Sequence, residues 1–399
     1  MKILHFADVH SRDKDIEEVV KCLNFIVETA EKEKVELIVI AGDIFHSQEL
    51  KLDSLSAKLA IKTVSRLADI APVAIVLGTA SHDGKAPEIL SFARGKYDVH
   101  VSSMPEQVYL YQGCFYDHMV GNCQPEAVVS LCPPPHKQFF QSASDISGVD
   151  QEIGAAMSGL FAGFGAQAAE YKAPHVLVGH FNVAGSMLSN QQIRTGMDIE
   201  IGRDQIALAG AAVVCLGHIH LGQQIGDNIF YSSSLYAANV GEDHPHGFYV
   251  HEIGPCNFNT AVELESSRFI ETPHKKLARF SDDFTVDPMG TTDLSDYQGK
   301  HVVYTIKAWQ DEAGQLNKDE IGAEFVRQGA LSAEVRVTPV PRVTVRAAEV
   351  LKADALRDKI QRRADLVGDV VALETLSAAD ILEVTPPDQL VRMVMGGAL

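Results

Sequence analysis

The sequence is short of positive charge. Against 53 acidic residues stand only 34 lysines and arginines, a formal net charge of -19 over 399 residues. Such a field repels a phosphate backbone. A protein that grips nucleic acid through a general basic surface is therefore excluded, and any DNA contact has to be local, metal-mediated or shared with a partner. Long apolar runs are missing too: no stretch reaches the roughly 18 residues of a membrane span, and the opening MKILHFADVH has too short an apolar run and too early an acid for a secretory leader. The expectation is a soluble, cytoplasmic protein with no membrane contact. Cysteines are few, six and scattered, which makes no disulfide framework and fits a reducing compartment. No internal repeat is evident.

What is present is an alternation of apolar strands and amphipathic helices. KILHFA, VELIVIAG, PVAIVLG, PHVLVGH and AVVCLGH read as strands, with helices over 13–34 and 53–69, followed by the shorter strands NIFYSSS and GFYVHEI. Runs this continuously apolar suit strands buried on both faces, so the fold class is α/β, a sheet or sandwich covered by helices. Residues 112–171 are less regular and read as an inserted lobe with a Gly- and Ala-rich helix from about 150 to 171. Beyond about 270 the pattern changes. HVVYTIKAWQ, KDEIGAEFVRQGA and SAEVRVTPV make a small strand-helix-strand unit, and Val350, Ala353, Leu356, Ile360 and Ala364 recur at helical spacing. The expected domains are 1–270, 271–342 and a helical segment 343–399. Its apolar stripe serves either internal packing or a partner helix.

Cys114, His118, Cys123, Cys132 and His136 crowd one stretch. Four such ligands could hold a structural zinc, but the gaps match none of the short-knuckle spacings, and AVVSLCPPP reads as a strand entering a turn. Ordinary buried or loop residues are the favoured reading.

The chemistry lies at the strand ends. ADVH brings Asp8 and His10, two apart and so on one side of an extended chain. AGDIFH brings Asp43, GTASHDG brings His82 and Asp83, VGHFN brings His180, and LGHIH brings His218 and His220. Singly, a D-x-H or a G-D means a turn, and a buried histidine usually bonds a carbonyl. Five such ends in order are hard to obtain by chance. Ligands of open parallel sheets gather at the carboxyl ends of the strands, so these residues should converge. Carboxylate and imidazole without thiolate suit manganese, iron or zinc in a hydrolytic site, and so many candidate ligands suit two ions rather than one.

This set of motifs resembles the calcineurin-like metallophosphoesterase superfamily. Within it, GDIFH, LGHIHLGQ and YSSSLYAANVGEDHPHGFYV resemble the SbcD-type nuclease subunit of a DNA double-strand-break repair complex, specifically over residues 1 to about 253 and more loosely beyond. The resemblance implies a four-layer αββα sandwich, a small strand-helix-strand capping domain, and C-terminal helices that dock on an SbcC-type ATPase. It also implies a homodimer and exonuclease and endonuclease action on duplex and single-stranded DNA. Two divalent ions, manganese first, would be held by Asp8, His10, Asp43 and His220 and by Asp43, His180, His218 and the position of Ser81. Asp43 would bridge, His82 would stabilise the transition state or act as general acid, Asp83 would orient its ring, and His46 would help to place the phosphate.

Ser81 departs from the pattern. Most members of the superfamily have Gly-Asn-His, whereas GTASH has two extra residues after Gly78 and a hydroxyl in place of the amide. Three arrangements follow: Ser81 ligates, water ligates in its place, or Thr79 swings in, with the first two favoured together. Two rival functions stand beside the nuclease. One is a phosphomonoesterase or cyclic-nucleotide phosphodiesterase on the same ions, and the other is a silent scaffold that keeps the fold.

Overall fold

The structure is a computed structural model that describes residues 1–135, 149–189, 199–237, 242, 244–254, 262–290, 292–342, 350, 353–386 and 389–390. The chain divides into two compact units, residues 1–278 with 299–301, and residues 279–298 with 302–399. The limits expected at 270 and 342 differ from these, since the helices after 350 fall in the same unit as the small sheet.

The larger unit is built on two sheets. Leu37–Ala41, Val73–Val76 and Val99–Ser102 follow Lys2–Phe6 in parallel order, and Gly247–Ile253 and Leu264–Glu271 close the other side antiparallel, giving six strands. The second sheet has seven strands. Its centre is the parallel run Ala127–Cys132, His175–His180, Val213–Gly217 and Ile229–Tyr231, flanked by antiparallel edges.

Alternation along the strands sorts side chains into layers. Ile3, Val39, Ala74 and Val76 of the first sheet meet Val129, Val176, Val178, Val213 and Cys215 of the second in one buried cluster. Leu4, Phe6, Ile38, Ile40 and Ile75 face the opposite way. They pack under Val19, Leu23, Ile26 and Ala30 of the helix Ile16–Glu33 and Val64 and Leu67 of the helix Leu55–Ala68. Leu177, Val214 and Leu216 pack likewise under Ile153, Met157, Phe161 and Phe164 of the helix Val149–Ala168. Each such fully buried aliphatic or aromatic side chain contributes about 1.5–3 kcal/mol, which makes the sandwich a rigid platform. The order is helix, sheet, sheet, helix. The stretch expected as an inserted lobe supplies part of the second sheet and its covering helix.

Helix ends are set locally. Lys34 adopts a left-handed backbone (φ 55°) that stops the first helix, and the Ser54 hydroxyl accepts from Ala57 N at 3.1 Å to start the second. In the smaller unit a three-stranded sheet, Leu277–Asp283, His301–Trp309 and Ser332–Val340, carries the helix Lys318–Arg327. Phe325 of that helix is buried among the rings of Phe280, Tyr297 and Tyr304. Two further helices, Leu356–Val367 and Leu373–Val384, follow.

In the cysteine stretch, Cys114 and Cys123 are exposed and Cys132 is buried, its thiol pushed up to about 12 by desolvation. No group of metal-ligand side chains among the described residues includes these three, and His136 lies outside the described residues. No helix among the described residues is long and apolar enough to cross a membrane.

Candidate active site

The strand tips of both sheets converge. Asp8 and His10 follow Lys2–Phe6, Asp43 follows Leu37–Ala41, His180 ends His175–His180, and His218 and His220 follow Val213–Gly217. The tips are not extended. Asp8, His10, Asp43 and His218 have φ of 50°, 45°, 51° and 91°, the left-handed region that costs a non-glycine residue roughly 1–2 kcal/mol. The extended geometry expected for Asp8 and His10 is therefore corrected: a turn at each residue, not strand alternation, brings them to the same cleft.

Backbone pairing holds those turns. Asp8 N donates to Gly42 O and His10 N to Asp43 O, each at 3.0 Å, and the Tyr236 hydroxyl donates to His10 O at 3.0 Å. Gly42 (φ 84°) and Gly78 leave the room: a Cβ on the first would overlap the His180 ring, and on the second Asp43 itself.

Two ligand groups result, Asp8 with His10 and His220, and Asp8 with Asp43 and His180, each with candidate ligand atoms within 4.8 Å of one another. Asp43 Oδ2 lies 3.3 Å from His180 Nε2 and 4.0 Å from His10 Nε2, so it spans both groups, and Asp8 is common to them. His218 packs its ring against His180 with centroids 5.2 Å apart, while its backbone N–H donates to both Asp8 oxygens at 3.1 Å.

The electrostatics follow from burial and proximity. Desolvation pushes Asp8 up to about 6. Burial also opposes charge on Asp43, but His180 and His10 outweigh it and hold that carboxyl well below the usual range. The reciprocal effect raises His180, against its own burial, to about 9. Burial and then His220 drive His10 well below the usual imidazole range.

A cation fits these donors. His220 Nδ1 donates to Glu242 Oε1 at 2.6 Å, which leaves a lone pair on Nε2 facing His10 Nε2 at 2.9 Å. If His10 donates there, its buried Nδ1 lacks a hydrogen-bond partner; if its proton sits on Nδ1, two lone pairs oppose each other. A cation between the two rings removes the conflict. His180 repeats the pattern, with Nδ1 donating to Ala41 O at 2.6 Å and a buried Nε2 that makes no hydrogen bond. Two carboxylates and several imidazoles without thiolate suit manganese, iron or zinc.

Two expectations are corrected. Ser81 is exposed and its hydroxyl meets Thr79 Oγ1 at 3.4 Å; it is Thr79 that reaches Asp43 Oδ1, through its N–H at 2.6 Å and its hydroxyl at 3.0 Å. The two extra residues after Gly78 carry residue 81 outward and leave residue 79 over the carboxylate. Nor does Asp83 orient His82. Its oxygens accept from Phe45 N at 2.9 Å and Gly78 N at 2.8 Å, clamping the loop after Asp43 to the loop before His82. The His82 ring is fixed instead by donation from Nδ1 to His46 O at 2.9 Å, and lies edge-on to His10 with centroids 4.6 Å apart. His10, His46 and His82 form a third group.

Glu242 and Arg12 escaped the sequence reading. Glu242 stands in GEDH, and Arg12 two places after His10; only that adjacency to histidine marked them. The chain is 35% identical over 88 residues to the DNA double-strand break repair protein Mre11 of Aeropyrum pernix, a match spanning 21% of this chain and 21% of that protein. Among solved structures it is similar to GAP50, the anchor in the inner membrane complex of Plasmodium, at 13% identity and TM-score 0.40 over 69% of this chain and 90% of that one. It is also similar to a dimetal phosphatase from Danio rerio, at 11% identity and TM-score 0.37 over 68% of this chain and 99% of that one. The profile of calcineurin-like phosphoesterases, metal-dependent hydrolases of phosphoesters, matches residues 1–222, more than half of the chain and ending just past the last ligand-bearing tip. The chain therefore belongs to the calcineurin-like phosphoesterase family.

Proposed function

We propose that this protein is a manganese-dependent DNA nuclease that hydrolyses phosphodiesters in double-strand-break repair. The observation that carries the reading is the row of imidazoles His10, His82 and His46 beside the two carboxylate-imidazole groups. Within it His82, whose Nδ1 donates to His46 O, supplies a donor at Nε2 for charge that develops on a phosphoryl oxygen or a leaving sugar oxygen. The partial likeness to Mre11 supports a polynucleotide substrate over a small phosphoester.

Asp8, His10 and His220, and Asp8, Asp43 and His180, would hold divalent cations, which would supply Lewis-acid charge and lower the pKa of water at the site. The chain's own residues do the rest. Glu242 holds His220 with its Nε2 lone pair inward, Thr79 holds Asp43, and His46 O keeps a proton on His82 Nδ1, so that a second proton on Nε2 makes the ring a donor. His82 then neutralises developing charge on the phosphoryl or leaving oxygen.

The test is cleavage of linear duplex and single-stranded DNA by the full chain with manganese, beside a phosphomonoester and a cyclic nucleotide. DNA is cut, and His82→Ala lowers the rate by about 100-fold or more. Turnover of the small esters without DNA cleavage would replace this reading with a small-substrate phosphoesterase. The same proposal includes a homodimer acting in the cytoplasm with an SbcC-type ATPase docked on the C-terminal helices. Val370 and Leu373, 92% and 77% exposed, stand in the connection and first turn of that helix pair. Val370→Asp with Leu373→Asp then abolishes capture of that ATPase.

A further inference from the structure

The two ligand-bearing tips do not part after the metal ligands. Ser11 N donates to Ile44 O at 2.9 Å, Ser11 and Phe45 form a parallel bridge, and His46 N donates to Ser11 O at 3.2 Å. This pairing carries Arg12 to the side of His46, with Arg12 Nη1 3.3 Å from His46 Nε2. The guanidinium donates there, so His46 is neutral with its proton on Nδ1, a buried atom with no hydrogen-bond partner among the described residues. Asp15 holds Arg12 Nε, and Lys14 and His82 also face His46. Arg12 itself stays at the rim, its side chain 21% exposed.

His10, His82, His46 and Arg12 thus make one row leading outward from the metal-ligand groups. In a chain of net charge -19, cations at this rim have to offset a repulsive field before a polyanion can enter. A guanidinium has five N–H donors, so one that is braced on two neighbours still directs its charge and a donor at a phosphate oxygen. An isolated phosphoester has only the phosphate being cut, whereas a polynucleotide presents the next phosphate along the strand.

We infer that Arg12, braced by His46 and Asp15, binds the phosphate next to the scissile one and so makes the cleft select a polynucleotide chain over an isolated phosphoester. The inference rests on the nuclease reading.

The experiment compares the full chain and Arg12→Gln, both with manganese, on a short oligonucleotide and on bis(p-nitrophenyl) phosphate, a diester with a single phosphate. A third substrate carries a neutral methylphosphonate at the linkage beside the cleaved one. The oligonucleotide-to-small-diester ratio of kcat/KM falls about tenfold in Arg12→Gln, mainly through KM. The methylphosphonate lowers the rate of the unaltered chain by a similar factor and adds little in the variant. That arm needs no substitution, so a misfolded variant does not blunt it. An equal fall on both substrates, or indifference of the unaltered chain to the methylphosphonate, overturns the inference. If the unaltered chain hydrolyses the small diester but leaves the oligonucleotide intact, the nuclease reading itself falls, and that outcome is recognised without any variant.

Discussion

His220 Nδ1 and Glu242 Oε1 stand 2.6 Å apart, both side chains buried, and this contact decides which nitrogen of His220 faces the cleft. A carboxylate behind a ligating imidazole fixes its tautomer and raises its basicity. Burial alone would depress His220, yet the Glu242 hydrogen bond raises it. Glu242→Gln removes that charge at nearly constant shape. Manganese affinity measured by calorimetry then weakens by about 10–100-fold, with activity partly recovered at high metal concentration. Unchanged affinity would show that Glu242 serves the fold only.

Thr79 and Ser81 separate cleanly. Thr79→Val removes a hydroxyl from Asp43 Oδ1, where a hydrogen bond to a charged group is worth about 1.5–3 kcal/mol. Metal affinity drops by about tenfold or more, while Ser81→Ala changes it by less than about threefold. The reverse order would restore Ser81 as the ligand.

Asp83 ties Phe45 N to Gly78 N, so its removal unfastens the loops that present Asp43 and His82. Asp83→Ala lowers folding stability by about 1–3 kcal/mol, seen as an earlier denaturation midpoint. If Asp83 instead oriented His82, kcat would fall with the midpoint in place.

Between the sheets, His5 Nδ1 meets His251 Nε2 at 3.3 Å, His5 Nε2 donates to Leu216 O at 3.1 Å, and His251 Nδ1 takes the Ser267 hydroxyl at 2.7 Å. Desolvation lowers His5 to about 3 from an ordinary 6.5. The unfolded chain therefore binds a proton below about 6.5 that the folded chain does not, and stability falls as pH drops from about 6.5 toward 3. The slope is up to about 1.4 kcal/mol per pH unit for this group. His5→Gln keeps a donor and an acceptor and reduces proton uptake on unfolding by about one, read from urea midpoints at pH 7 and pH 5. A slope unaltered by the substitution would refute this assignment.

Much of the fold was legible because VELIVIAG, PHVLVGH and AVVCLGH are too apolar for anything but doubly covered strands, and each ends in, or just before, a residue of ligand type. The residues that converge as candidate ligands, Asp8, His10, Asp43, His180 and His220, could be picked from type and order alone. Other features could not. Which hydroxyl covers Asp43 depends on how GTASHDG loops, and the partners of Asp83 are backbone amides that no side-chain pattern announces. Glu242 meets His220 across 22 residues that carry no periodic signal.

The left-handed backbone at Asp8, His10, Asp43 and His218 sets this protein's terms with mutation. Glycine at any of these positions would relax the backbone by roughly 1 kcal/mol and erase a candidate site residue, at Asp8 and Asp43 together with the hydrogen bonds that the carboxylate accepts, so relief of this strain is also a silencing change. A lineage released from selection for hydrolysis would drift toward a sturdier, inert relative of the same shape. Kept under selection, the sandwich must stay robust enough to hold four reluctant turns facing one another.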